Sequence, residues 1–275
     1  MKNILVPIET HSSIDSVLRA SVLLARRFGA HIEGMALGPD LPDLVAFDMP
    51  VSWTVQDQNA WRELADEAHR RFETYMMENG VPAHGAPDGA THGWAGDQSY
   101  GDSQAASYAR IFDIAVMGRP GSERGDARMA TAEAAIFESG RPVLLAPPTP
   151  IETLGETIVV SWNQSTETAR AVAFAMPLLK QAKKVYVLTI ENFMVDGPAG
   201  DLLARALSRH NVSVEAVTRP NGRSPGEAVL EHAGKLGADL IIKGAYTQSR
   251  LRQMIFGGAT AHIMAKAKIP VFMAN

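Results

Sequence analysis

Residues 239–244 read DLIIKG, and residues 113–118 read DIAVMG. Each is an aspartate, a short apolar run and a glycine. A near-continuous apolar run of this length fits a strand covered on both faces, as in a parallel sheet. Outward from this pair, RPVLLAP at 141–147 matches IPVFMAN at 269–275. Further upstream, ILVPIE at 4–9 matches IVVSWN at 158–163. Three landmarks recur in the same order, so the chain reads as one domain duplicated.

Strand and helix patterns alternate in both copies. The first is expected to hold strands at 3–8, 31–36, 113–117 and 142–146, with helices at 13–28, 56–79, 102–110 and 129–139. Residues 38–55 contain Pro39, Pro42 and Pro50 and read as an irregular loop. Residues 81–101, rich in Gly, Pro and Asp, leave room for one short strand. In the second copy strands are expected at 156–162, 184–190, 212–218, 239–243 and 270–274, with helices at 166–182, 197–210, 225–236 and 257–267. The three prolines of 147–155 mark a linker. The expected architecture is therefore α/β: two tandem doubly wound domains, each with a five-stranded parallel sheet, over 1–148 and 155–275.

The copies differ in length. From Ile4 to Asp113 is 109 residues, and from Ile158 to Asp239 is 81. The excess falls at 38–55 and 81–101, where loops absorb insertions.

Composition narrows the function. With 275 residues, 46% hydrophobic, the chain can bury two ordinary cores. A net charge of −4 argues against electrostatic binding of nucleic acid. The absence of cysteine excludes disulfides and thiolate chemistry and suits a reducing compartment. The N-terminal apolar run is too short for a signal or membrane span, so a cytoplasmic location is expected. Eight histidines are scattered without metal-ligand spacing. His92 and Trp94 share a Gly-rich stretch that could line a pocket or simply pack.

Open parallel sheets bind ligands at the carboxyl ends of their strands, near the switch point. In the second copy that place holds Trp162 and Asn163 after the first strand. After the fourth come Gly244, Thr247, Ser249, Arg250, Gly257 and Gly258. A glycine pair opening a helix lets the backbone approach phosphate, which the free N–H groups and the dipole favour. Structural roles compete with this reading: strand exit, capping and packing explain the same residue types.

The order of elements, the Gly-rich loop and the PV-containing final strand resemble the universal stress protein family, in its tandem form. That resemblance spans the chain and implies a Rossmann-like fold of the adenine nucleotide alpha hydrolase type. Nucleotide-binding members carry G-x2-G-x9-G-[ST] after strand 4 and an Asp after strand 1. Here Gly244 and Gly257 match, Thr247 stands at the second glycine, Gly258 replaces the hydroxyl residue and Asn163 replaces the Asp. The implied set is Trp162, Asn163, Gly244, Thr247, Ser249, Arg250, Gly257 and Gly258. In the first copy Gly118 and Gly121 match, the third glycine and the hydroxyl fall at Met129 and Ala130, and Glu9 replaces the Asp. No family-type site is expected there, and GSERGDAR at 121–128 reads as a solvated loop.

The resemblance implies a cytoplasmic stress-response factor that binds ATP or another adenine nucleotide in its C-terminal domain and regulates protein partners, with a homodimer as one form. A ligand-free scaffold or partner-binding module is the alternative. Slow ATP hydrolysis is a third reading, with no general base visible near the loop.

Overall fold

The computed structural model describes residues 1–38, 55–85, 89–96, 99–121, 123, 125–222, 224–245 and 258–275. Residues 39–54 of the loop expected at 38–55 lie outside these residues, as do Thr247, Ser249, Arg250 and Gly257. Contacts divide the chain into two compact units, Met1–Arg141 and Pro142–Asn275.

The first unit contains strands β1 (Asn3–Ile8), β2 (His31–Ala36), β3 (Thr91–Trp94) and β4 (Ile114–Gly118). Its helices are α1 (Ile14–Phe28), α2 (Val55–Glu78), α3 (Asp102–Tyr108) and α4 (Met129–Glu138), with a 3-10 turn at Ala109–Ile111. The strands run parallel in the order β3-β2-β1-β4. Helix α1 buries Val17, Leu18, Leu24 and Ala25 at helical spacing. Gly29 ends it in the left-handed conformation, at φ 55°.

The second unit contains β5 (Val143–Ala146), β6 (Thr157–Ser161), β7 (Lys184–Ile190), β8 (Val214–Arg219), β9 (Leu240–Gly244) and β10 (Val271–Ala274). Its helices are α5 (Thr166–Leu179), α6 (Gly200–Ser208), α7 (Pro225–Lys235) and α8 (Ala259–Lys266). The parallel order is β10-β9-β6-β7-β8, the same winding as in the first unit. Gly244 points at α5 and its neighbour Lys243 at α8. Adjacent strand residues face opposite ways, so helices cover both faces.

The repeat is also chemical. Asp239 accepts the backbone N–H groups of Glu156 and Thr157 at 3.0 and 2.9 Å, tying the start of β9 to the start of β6. Asp113 does the same for β4 and β1, accepting from Lys2 and Asn3.

One strand makes a pairing that the sequence did not announce. Residues 142–146 read as a parallel fifth strand of the first half. In the strand order β5 follows β4 as expected; it also pairs antiparallel with β10, in the register Val271↔Leu145, Phe272↔Leu144 and Met273↔Val143. All four residues of each strand are buried. Two apolar strands of equal length thus pair edge to edge, with the side chains of both faces buried. Among the described residues no helix is long and apolar enough to cross a membrane.

Candidate functional site

The switch point of the second unit lies between β6 and β9. Trp162 follows β6 and is buried; its backbone N–H donates to Leu188 O and its indole Nε1 to Pro198 O, both at 2.8 Å. Asn163 comes next. Its Oδ1 accepts from the Thr168 hydroxyl at 2.6 Å and from the Ser165 N–H at 3.3 Å. Ser165 caps α5, its Oγ accepting the Thr168 N–H at 3.2 Å. Thr168 Oγ1 in turn accepts the Gly244 N–H at 3.3 Å. A relay from Asn163 through Thr168 to Gly244 thus joins the carboxyl ends of the two central strands.

Gly244 is a glycine for packing. A Cβ there would sit 2.5 Å from Thr168 N and 2.7 Å from the Glu167 carbonyl carbon. Gly258 is different. It caps α8 at φ −63° and ψ 166°, a conformation open to any residue, so backbone strain does not require glycine there.

Lys243, one residue before Gly244, is 6% exposed. Its ammonium donates to Thr260 Oγ1 at 2.8 Å and to Gly244 O. Burial alone depresses its pKa from 10.5 to about 7.

The matching place in the first unit is filled. Arg128 caps α4 as Gly258 caps α8. Its Nε donates to Glu9 Oε2 at 2.8 Å, its N–H to Glu9 Oε1 at 3.1 Å and its Nη1 to Gly38 O at 3.0 Å. Its Nη2 lies 3.1 Å from Asp102 Oδ1, which also accepts from the Thr131 hydroxyl at 2.8 Å. Burial raises the Glu9 pKa, and Arg128 opposes that rise. A Cβ on Gly118 would meet Ala127 Cβ at 2.7 Å and His11 Cε1 at 2.8 Å. The His11 Nδ1 accepts from Ser13 N, and burial, followed by the nearby charge of Arg71, lowers its pKa to about 4.

The helix cap Arg128, not Ala130, is thus the counterpart of Gly258. From Gly118 to Arg128 is ten residues, against fourteen from Gly244 to Gly258. The stretch expected to be a solvated loop is tied down where it is described: Ser12 N donates to Gly125 O at 2.9 Å, Pro120 bridges Ala127, and Ala127 is buried.

Residues 156–275 match the universal stress protein family.

Solved structures extend the likeness in fold to the whole chain. A universal stress protein from Archaeoglobus fulgidus DSM 4304 matches with a TM-score of 0.73 over 99% of this chain and 96% of its own, at 14% identity. A functionally unknown protein from Pseudomonas aeruginosa PAO1 matches with a TM-score of 0.52 over 100% and 92%, at 13% identity. The stress response protein NhaX of Bacillus subtilis (strain 168) is 41% identical over 51 residues, 18% of this chain. The match spans about a third (31%) of that curated relative's length.

His92 and Trp94 stand in the first unit, away from the β6–β9 switch point. They form β3, and His92 is 2% exposed. Its Nδ1 meets Val81 O at 2.8 Å and its Nε2 meets Glu73 Oε2 at 3.0 Å. Trp94 stacks on His69 at 4.5 Å and packs on Phe72. The alternation T-H-G-W beside an amphipathic helix was the signal for packing. Among the described residues no group of three or more His, Asp or Glu could hold a metal ion.

Lys243 and Arg128 are the residues that motif spacing missed. Lys243 had a visible signal, since a lysine inside an otherwise apolar central strand has to be buried. Arg128 had none: its partner Glu9 is 119 residues away.

Proposed function

We propose that the second unit binds ATP or another adenine nucleotide, and that the bound state governs engagement of protein partners in a cytoplasmic stress response. Trp162, Asn163, Gly244, Thr247, Ser249, Arg250, Gly257 and Gly258 form the proposed set. Asn163 and Gly258 offer polar and backbone groups, while Gly244 holds the strand end close to α5.

One contrast carries this reading. At equal places in the repeat, the first unit puts the Arg128 side chain onto Glu9, and the second offers Gly258 with no side chain. A helix N-terminus without a side chain favours an approaching phosphate. Apolar surface suited to a base stands nearby. The Val195 N–H donates to Asn163 O at 3.1 Å, and Phe193, Met194 and Val195 are 37%, 43% and 39% exposed.

The ligand-free scaffold is favoured by a different observation: Asn163 Oδ1 is already satisfied by Thr168 and Ser165. Calorimetric titration with ATP separates the two. Micromolar to millimolar affinity that Gly258→Val removes supports the nucleotide site. Absence of heat at millimolar ATP supports the scaffold.

A further inference from the structure

Lys243 presents a problem of charge. It lies in a strand buried on both faces, and its ammonium ends on a hydroxyl and a carbonyl. The flanking strands β6 (TIVVS) and β10 (VFMA) bring no titratable side chain. Helix α5 brings Glu167 and Arg170, α8 brings His262 and Lys266, and α7 brings Glu227, Glu231, His232 and Lys235. Among the described residues none of these forms an ion pair with Lys243. Burial is the whole cause of its depressed pKa. A buried charge without a counter-charge is costly.

Its surroundings add to that cost. Thr260 is the second residue of α8, so Nζ sits against the first turn of that helix. A helix N-terminus carries partial positive charge and disfavours a cation. Two positive features, a buried ammonium and a helix start, share one small region. Both are relieved by one thing, an anion. Thr260 accepts from Lys243 and keeps its own hydroxyl proton to donate. It can therefore link the buried ammonium to an anion outside the sheet.

We propose that Lys243 is a positioning residue: the buried counter-charge of a phosphate-bearing ligand at the start of α8, which binds together with a proton. This rests on the nucleotide reading above and adds to it a coupling between ligand and proton. The apo protein holds Lys243 largely neutral above neutral pH. The arriving anion restores the ammonium, so a proton enters with the ligand. Affinity then falls with rising pH, by roughly tenfold per pH unit at its steepest.

The test is calorimetric titration of the full chain with ATP at pH 8, in HEPES and in Tris, whose ionisation enthalpies differ. The expected result is uptake of most of one proton per ATP at pH 8 and far less at pH 6. In Lys243→Met the uptake at pH 8 is lost and affinity at pH 6.5 falls at least tenfold. The wild-type measurement stands by itself should the variant fold poorly. ATP binding without proton uptake at pH 8 overturns the role of Lys243 and leaves the nucleotide reading intact. Uptake that persists in Lys243→Met overturns it too. No binding at millimolar ATP removes both.

Discussion

Arg128 and Glu9 are held in a two-point contact, Nε on Oε2 at 2.8 Å and backbone N–H on Oε1 at 3.1 Å. The carboxylate is mostly buried, and burial pushes its pKa up while Arg128 holds it down. Arg128→Ala should destabilise the first unit by about 2–3 kcal/mol at pH 8, since it leaves a carboxylate with its partner removed. The raised Glu9 pKa fixes the sign. Below its folded pKa, Glu9 becomes neutral and needs no partner. The deficit should therefore shrink as pH falls toward 5. Urea unfolding of wild type and variant at pH 5 and 8 measures this; an equal deficit at both would count against a buried, charged Glu9.

Two glycines at one switch point should respond in opposite ways. Gly244→Ala drives a Cβ to 2.5 Å from the Thr168 nitrogen. The expected loss is about 3 kcal/mol, at the upper end for overpacking. Gly258→Ala meets no backbone strain, because the φ of −63° suits alanine. Its cost should stay below about 1 kcal/mol. Thermal unfolding of the two variants decides between packing and ligand access as the reason for each glycine.

Lys243 should shape stability against pH. Its folded pKa of about 7 lies below the ordinary 10.5, so the unfolded chain binds the extra proton between those values. Stability should rise as pH climbs from 7 toward 10. Lys243→Met should remove that slope and raise stability at pH 7, by about 3 kcal/mol if the methionine packs well. Denaturant midpoints of both proteins at pH 7 and 9 are the check, and a flat wild-type profile would contradict the assignment.

His11 should make the first unit sensitive to acid. Its pKa is lowered to about 4 in the fold, against 6.5 when free. Stability is full above pH 6.5 and falls as the unfolded histidine takes a proton, down to about pH 4. The loss attributable to His11 should approach about 3 kcal/mol. NMR titration of the imidazole gives the folded pKa directly, and a value near 6.5 would refute this.

The repeat was legible because strands carry their signal locally. DIAVMG and DLIIKG became β4 and β9, and their aspartates make the same pair of backbone contacts. Helix spans such as α1 followed from apolar spacing, while the caps Ser165 and Ser224 became visible only in the structure. The partner of β5 was not legible, because an apolar strand of four residues states neither its neighbour nor its direction. The site was half legible. Glycine spacing marked Gly244 and Gly258 but could not say that packing against α5 holds Gly244 while the backbone angles of Gly258 suit any residue. Contacts between distant segments, such as Arg128 with Glu9, leave no periodicity to read.

The β5–β10 ladder bears on mass action. β10 has β9 on one side and β5 on the other, so its main chain is paired along both edges. Both partners come from the same polypeptide, and joining them is unimolecular. The unfolding midpoint of the second unit should therefore be indifferent to dilution. Its other border is β8, largely solvent-exposed and carrying Glu215, paired with Lys184 at 3.0 Å, and Arg219. Charges on a border strand discourage another strand from adding to it. At the β8 border, charge thus opposes self-association through sheet extension, while β10 offers no open edge at all.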